Sequence, residues 1–199
     1  MTAQAGDTPI SSDREALRRA GRRARLQIAP SARRRAARRA AIHARFLARR
    51  VQARNIGAYI AYGSELDTQP LLTMLCEEPR TTLYLPRITR DRRMAFQQWF
   101  GGPLRAGAFG IPSPVTGPRC FAGALDLILL PLVAFDGAGS RLGAGAGYYD
   151  RYLAQAPRHR PFICGYAFAA QEVDVIERAP WDIPLQGIVT ESGFRRLSR

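Results

Sequence analysis

The sequence predicts an α/β fold: three α/β/α layers around a mostly parallel sheet, preceded by two N-terminal basic helices. Three observations carry this. Short apolar runs such as Leu127-Ile128-Leu129-Leu130 have the length of strands. Segments with helical periodicity alternate with them along the chain. The uninterrupted apolar character of the central run suits a strand buried on both faces, as parallel strands are.

The elements follow in order. Residues 1–11 read as a flexible leader. Ser12-Asp13-Arg14-Glu15 has the form of a capping box, and Leu17, Ala20, Ala24 and Ile28 recur behind it at helical spacing. Pro30 ends that helix, and Ser31 can cap a second whose apolar stripe is Ala37, Ala40, Ala44, Leu47 and Val51. The arginines lie mostly off both stripes. Residues 56–61 read as a strand and 63–68 as the loop at its end. Residues 69–76 read as a short helix, and 82–86 and 94–99 as strands. A Gly- and Pro-rich loop spans 101–117, with Phe109 and Ile111 among its few large apolar residues. After the strand at 127–130, residues 136–147 form a glycine-rich loop carrying one cation, Arg141, and Tyr148 opens a helix. A strand over 162–168, a helix or loop over 171–178 and a short strand over 188–190 complete the list. Neither an internal repeat nor a linker is visible, so 12–199 is expected to form one domain that includes the helices of 12–54.

Composition removes several function classes. No apolar run is long enough to span a membrane, and the N-terminus lacks a charged start followed by an apolar stretch, so a cytoplasmic protein is expected. Cys76, Cys120 and Cys164 are too few and too evenly spread for a disulfide framework or a zinc site. No lysine is present, which excludes Schiff-base chemistry and a P-loop lysine and leaves arginine to meet any phosphate. The net charge of +14 is uneven: residues 1–54 hold 15 arginines against Asp7, Asp13 and Glu15, whereas 55–199 are nearly neutral. Such a run suits a solvated helix face; with Phe46 its only interleaved aromatic, it is a poor nucleic-acid surface.

The glycine loop carries the strongest functional signal. Glycines let backbone N–H groups approach oxygen atoms, and a helix start adds a positive dipole end, so strand, loop and helix together suit a nucleotide phosphate. Gly143, Gly145 and Gly147 are not spaced as a dinucleotide fingerprint, and no Gly-Lys-Ser/Thr follows as in a Walker loop. The plain alternative is a tight turn followed by core tyrosines, against which the cation Arg141 weighs. Acids in neighbouring loops add to the pattern: Glu65, Asp67, Asp150 and Asp182 can bind Mg²⁺ beside phosphate oxygens or simply cap turns.

Several motifs resemble, in order, those of the 5-formyltetrahydrofolate cyclo-ligase family, also called methenyltetrahydrofolate synthetases. They are Arg14-x-x-Leu17-Arg18, Glu65-Leu66-Asp67-Thr68, Leu85-Pro86-Arg87, Ile111-Pro112-Ser113-Pro114, Pro131 with Ala134-Phe135-Asp136, Arg141-Leu142-Gly143, Gly147-Tyr148-Tyr149-Asp150-Arg151, and Asp182 with Thr190-Glu191. The resemblance implies a ligase that uses ATP and Mg²⁺ to convert 5-formyltetrahydrofolate to 5,10-methenyltetrahydrofolate through a phosphorylated formyl group; a monomer is expected. It implies ATP contacts from Arg14, Arg18, Arg141 and the loop Leu142, Gly143, Ala144, Gly145, Ala146, Gly147, Tyr148 and Tyr149. It implies that Arg141 and Tyr148 stand at the reacting centre. Ile60, Glu65, Phe109 and Tyr148 face the folate, and Asp150 and Asp182 resemble the Mg²⁺ ligands. Arg14, Ala144, Ala146 and Trp181 replace residues more usual in the family, and Ala146 and Trp181 prompt the alternative of a member that binds nucleotide or folate without turnover; the basic segment offers another, an RNA-associated protein using 14–54.

Overall fold

The computed structural model describes residues 9–89, 91, 93–157 and 159–197. The chain begins with two helices, α1 (Pro9–Leu26) and α2 (Pro30–Arg50), and only then enters its sheet. There follow β1 (Asn55–Gly57), α3 (Gln69–Cys76), β2 (Thr82–Ile88), β3 (Met94–Trp99), β4 (Leu104–Ala106), β5 (Pro112–Pro114), β6 (Arg119–Cys120) and β7 (Leu127–Leu130). The remainder is β8 (Ala134–Phe135), β9 (Arg141–Leu142), α4 (Tyr148–Leu153), β10 (Phe162–Tyr166), β11 (Gly187–Thr190) and β12 (Gly193–Arg196).

Eight strands form one sheet in the order β12-β11-β10-β7-β1-β2-β3-β6. The central five, β11 to β2, run parallel, and the outer strands pair antiparallel. Strand period sets the layers. Leu127 and Leu129 pack on one face with α2 and α3, while Ile128 and Leu130 pack on the other with Phe96, Tyr152 and Leu153. The α/β class and the mostly parallel sheet are therefore as the sequence predicts. Helix α2 covers the first face with a buried stripe of small residues, Ala36, Ala37, Ala40, Ala41, Ala44, Leu47 and Ala48. It is a layer of the fold rather than a preceding appendage.

Several boundaries differ from expectation. Helix α1 starts at Pro9, so Ser12 lies inside it and residues 9–11 belong to no leader; residues 1–8 lie outside the described residues. It stops at Leu26, and Pro30 opens α2 at its first turn, where a missing N–H costs nothing. Ser31 is therefore no cap; Ala29 holds that position. Ala20 is exposed, and the inward face of α1 is instead Arg14, Leu17, Arg18, Gly21 and Arg25. Strand β1 ends at Gly57 because the chain bends away, although Ala58 N–H still bonds the Tyr84 carbonyl at 2.9 Å. The loop at 101–117 holds the hairpin β4–β5, and 136–147 is split by β8–β9, which places Arg141 on a strand. The segment 171–178 is irregular after one 3-10 turn over Ala169–Gln171. The polar strands β6 and β12 escape an apolar-pattern reading.

Candidate active site

Topology fixes where a site can lie. From β1 the chain builds β2 and β3 on one side of the sheet, and β7, β10 and β11 on the other. The loops leaving β1 and β7 therefore diverge, and ligands of open α/β sheets bind in the crevice at such a switch point. A cavity of about 460 Å³ occupies that crevice, within the size range of ligand pockets, roughly 300–1,000 Å³. Tyr59, Ile60, Tyr62 and Glu65 line it after β1, and Pro131, Leu132 and Val133 after β7.

Helix α1 forms one wall. Arg14, Arg18, Gly21 and Arg25 share a helix face, and about 16 Å separates Arg14 from Arg25 at 1.5 Å rise per residue. The helix reaches the sheet most closely at Gly21, where a Cβ would sit 2.2 Å from the Val133 carbonyl oxygen. That carbonyl and the Leu132 carbonyl are held from behind by the buried amide of Gln171, at 3.0 and 2.7 Å. Gln171 carried no motif in the sequence; its role exists only through these tertiary contacts.

The cation-rich end is built from paired charges. Arg14 forks onto Asp182, at 2.7 and 3.2 Å, and also donates to the Glu177 carbonyl at 2.9 Å. Arg141 is buried and donates to Asp150 Oδ1 at 2.8 Å and to the Ile183 carbonyl at 2.7 Å. Asp150 also accepts the Ile183 N–H at 3.1 Å, and Asp182 the Ala179 N–H at 2.9 Å. Each aspartate thus anchors a turn and pairs with a cleft arginine at once. Arg18 Nε donates to the Gly143 carbonyl at 3.2 Å, tying α1 to the glycine turn. Gly147 takes φ +64° to turn the chain into α4, a conformation that a Cβ-bearing residue adopts only under strain. Because α4 has six residues, its dipole is small, and the cradle consists of loop amides and arginines more than of a helix start.

The opposite end is apolar and aromatic. Glu65 accepts the Tyr62 N–H at 3.0 Å. Burial pushes its carboxyl above the ordinary carboxylate range, partly offset by that bond and by Arg25. Burial also raises the Tyr149 and Tyr59 hydroxyls, with Glu65 adding to both. At the mouth, Phe109 packs against Tyr148 with ring centres 6.2 Å apart and adopts φ +58°, rare for a side-chain-bearing residue. Tyr62 and Trp181 stand exposed on the same rim.

Of the residues singled out in the sequence, Arg14, Arg18, Ile60, Glu65, Phe109, Arg141, Asp150, Asp182 and the segment Gly143–Tyr149 all line this one cleft. Leu142 does not. It is fully buried with Ala134, Ile176 and Leu17, so it is a packing residue. Asp67 is likewise a cap, accepting the Gln69 N–H at 2.9 Å, and Arg87 donates to Gln97 at 3.0 Å instead of facing the cavity. Asp136, buried, binds the Ala138, Ser140 and Ile176 amides and shapes the β8–β9 turn.

Comparison with known proteins gives the family. Residues 10–191 match the 5-formyltetrahydrofolate cyclo-ligase family. The 5-formyltetrahydrofolate cyclo-ligase of Haemophilus influenzae is 33% identical over 69% of this chain and 76% of its own. That of Escherichia coli K12 is 33% identical over 71% and 80%. The NMR structure of Aquifex aeolicus 5,10-methenyltetrahydrofolate synthetase superposes with a TM-score of 0.81 at 30% identity, covering 94% of this chain and 93% of that one. A Mycoplasma pneumoniae 5,10-methenyltetrahydrofolate synthetase shares the fold, with a TM-score of 0.73 at 23% identity over 90% and 99% of the two chains. The chain belongs to the 5-formyltetrahydrofolate cyclo-ligase family.

Proposed function

We propose that this protein is an ATP-dependent ligase that cyclises 5-formyltetrahydrofolate to 5,10-methenyltetrahydrofolate, with residues 12–199 acting as one cyclo-ligase domain. The observation that carries this reading is the bipolar cleft: three arginines and glycine amides at one end, Glu65 within an aromatic wall at the other. Anionic phosphates suit the first end, and a pterin ring with N–H donors suits the carboxylate and aromatics of the second.

In the proposed reaction the formyl oxygen attacks the γ-phosphorus of ATP and ADP leaves. The anilinic nitrogen then attacks the formyl carbon and loses its proton. The C–O bond breaks, and inorganic phosphate departs with the oxygen. Such chemistry needs positioning and charge stabilisation rather than a covalent nucleophile. Arg141, fixed by Asp150 and the Ile183 carbonyl, is suited to hold transferring phosphoryl oxygens with little reorganisation. Arg14 and Arg18 reach phosphates from α1, and Tyr148, which lines the same cleft against Phe109, serves at the reacting centre. Glu65 holds the pterin, with Ile60 and Phe109 on its faces. The carboxylates Asp150 and Asp182 fit an ion that takes one or two protein ligands and otherwise phosphate and water oxygens; among the described residues no cluster of three ligating side chains exists. Mg²⁺ held there would neutralise charge on the phosphates.

The test is optical. Methenyltetrahydrofolate absorbance should rise only when protein, ATP and 5-formyltetrahydrofolate are all present, and folded protein giving no signal refutes the reading. The exposed rim residue Trp181 and the uncharged methyl side chain of Ala146 favour a second reading, a member that binds without turnover; calorimetric binding without absorbance change identifies it.

A further inference from the structure

Arg25 lies in the last turn of α1, only 7% exposed, outside the lining of the cleft but near enough to Glu65 for their charges to act on each other. Its Nε and Nη1 groups are shielded from solvent and have no hydrogen-bond partner among the described residues. An unsatisfied buried guanidinium costs stability, so its retention calls for a use. Arg33 of α2 fixes where it stands. One arm of the Arg33 fork donates to the Arg25 carbonyl at 2.8 Å, the other to the Glu65 carbonyl at 3.0 Å. Its guanidinium rests 5.0 Å over the Phe168 ring. A single rigid fork thus sets the spacing between the end of α1 and the turn that carries Glu65.

The charges around the Arg25–Glu65 pair are few. Arg25 comes from α1, with Arg22 beside it, Arg33 from α2, Tyr59 from the segment after β1, Tyr62 from the turn itself, and Tyr149 from α4. Tyr59 and Tyr149 stay neutral through the working range, since burial lifts both hydroxyls well above their ordinary value. Among these groups Glu65 is the acid that acts most strongly on Arg25, and Arg25 is the cation that acts on Glu65. They are not in contact. Glu65 accepts an amide instead, and Arg25 keeps its donors free.

From this arrangement we infer that Arg25 is a positioning residue for Glu65: its buried guanidinium is the fixed counter-charge that keeps the carboxylate ionised within the closed cleft. The inference rests on the reading of Glu65 as the acid that holds the pterin. Displacing water from the cleft by a folate would penalise the carboxylate further, and a counter-charge already desolvated, on a backbone that Arg33 ties to the Glu65 turn, offsets that penalty. Contact is unnecessary, because charge–charge coupling through the interior extends beyond hydrogen-bond reach.

The experiment follows Glu65 directly in the full-length protein. Glutamate labelled with ¹³C at the carboxyl gives seven signals, and the one missing in Glu65→Gln is assigned. In Arg25→Gln, and in Arg25→Met, which also removes the unpaired donors, the Glu65 midpoint should rise by about one pH unit, a tenfold change in protonation. Arg25→Lys should bring it back toward wild type. The acid limb of kcat/KM for 5-formyltetrahydrofolate should move the same way, with KM for ATP unchanged. An identical Glu65 titration in wild type and in either folded charge-removing variant overturns the inference, as does a loss of activity that raises both KM values with no shift of the limb. Wild-type protein that shows no cyclisation would refute the proposed function, and the titration would still decide the coupling.

Discussion

At the residue scale the cleft places a carboxylate where burial disfavours its charge. Glu65 therefore has a raised pKa in the folded protein, with desolvation the main cause. Between the ordinary carboxylate value and that raised value, the folded state binds more protons than the unfolded one, so stability falls as pH rises through this window. Replacing Glu65 with Gln removes the penalised charge. Melting curves should show Glu65→Gln more stable than wild type near neutral pH, with the gain gone at around pH 3, below the unfolded carboxyl's value, where it is protonated in both states. The same variant should raise KM for 5-formyltetrahydrofolate by about 10- to 100-fold, the loss of a charged hydrogen-bond acceptor, and leave KM for ATP unchanged. Residue type made Glu65, Arg141 and the glycines legible in the sequence, because few residues supply a carboxylate, a cation or a free φ in a loop. Arg25 and Gln171 were illegible, since an arginine in an arginine-rich helix and a lone glutamine acquire meaning only from what the fold brings against them.

At the element scale the first helix is the misread piece. Hydrophobic periodicity assigns apolar residues inward and arginines outward, and in α2 this holds, with its alanine stripe against the sheet. Helix α1 lines a polar cleft, so Arg14, Arg18 and Arg25 share its inward face while Ala20 faces solvent. Gly21 is the hinge of that packing. Gly21→Ala drives a methyl group into the rigid Val133 carbonyl, which Gln171 holds in place. Relieving the overlap should cost about 1–3 kcal/mol and lift α1 from the cleft. Thermal melts should show the loss of stability, and isothermal titration should show ATP affinity falling at least tenfold. The control is Ala20→Gly on the exposed face. It costs about 1 kcal/mol through helix propensity and should leave ATP affinity as it is. Equal loss of ATP affinity in both variants would mean that stability, and not the position of α1, governs the site.

At the scale of the whole molecule, the basic N-terminal segment divides into two helices with different jobs. The six alanines and Leu47 of α2 form one face of the core. At roughly 0.8 kcal/mol for each buried methyl and about 2 kcal/mol for the leucine, that stripe is worth about 7 kcal/mol, of the same order as the net stability of a domain, roughly 5–15 kcal/mol. Helix α1 gives the core little beyond Leu17, yet it carries Arg14 and Arg18, which line the cleft. Two truncations should therefore behave differently. Removing residues 1–27 should leave a protein with cooperative unfolding and native-like far-UV dichroism, but without measurable ATP binding. Removal of 1–54 exposes the sheet face under α2 and should abolish cooperative unfolding. The shorter truncation also separates the enzymatic reading from the nucleic-acid one. It retains most of the exposed arginines of α2, including Arg34, Arg35, Arg38 and Arg39, so a protein built to hold RNA would keep much of its RNA affinity. A protein that keeps its ATP affinity after losing α1 would instead move the phosphates away from Arg14 and Arg18, and leave Arg141 and the glycine turn as their site.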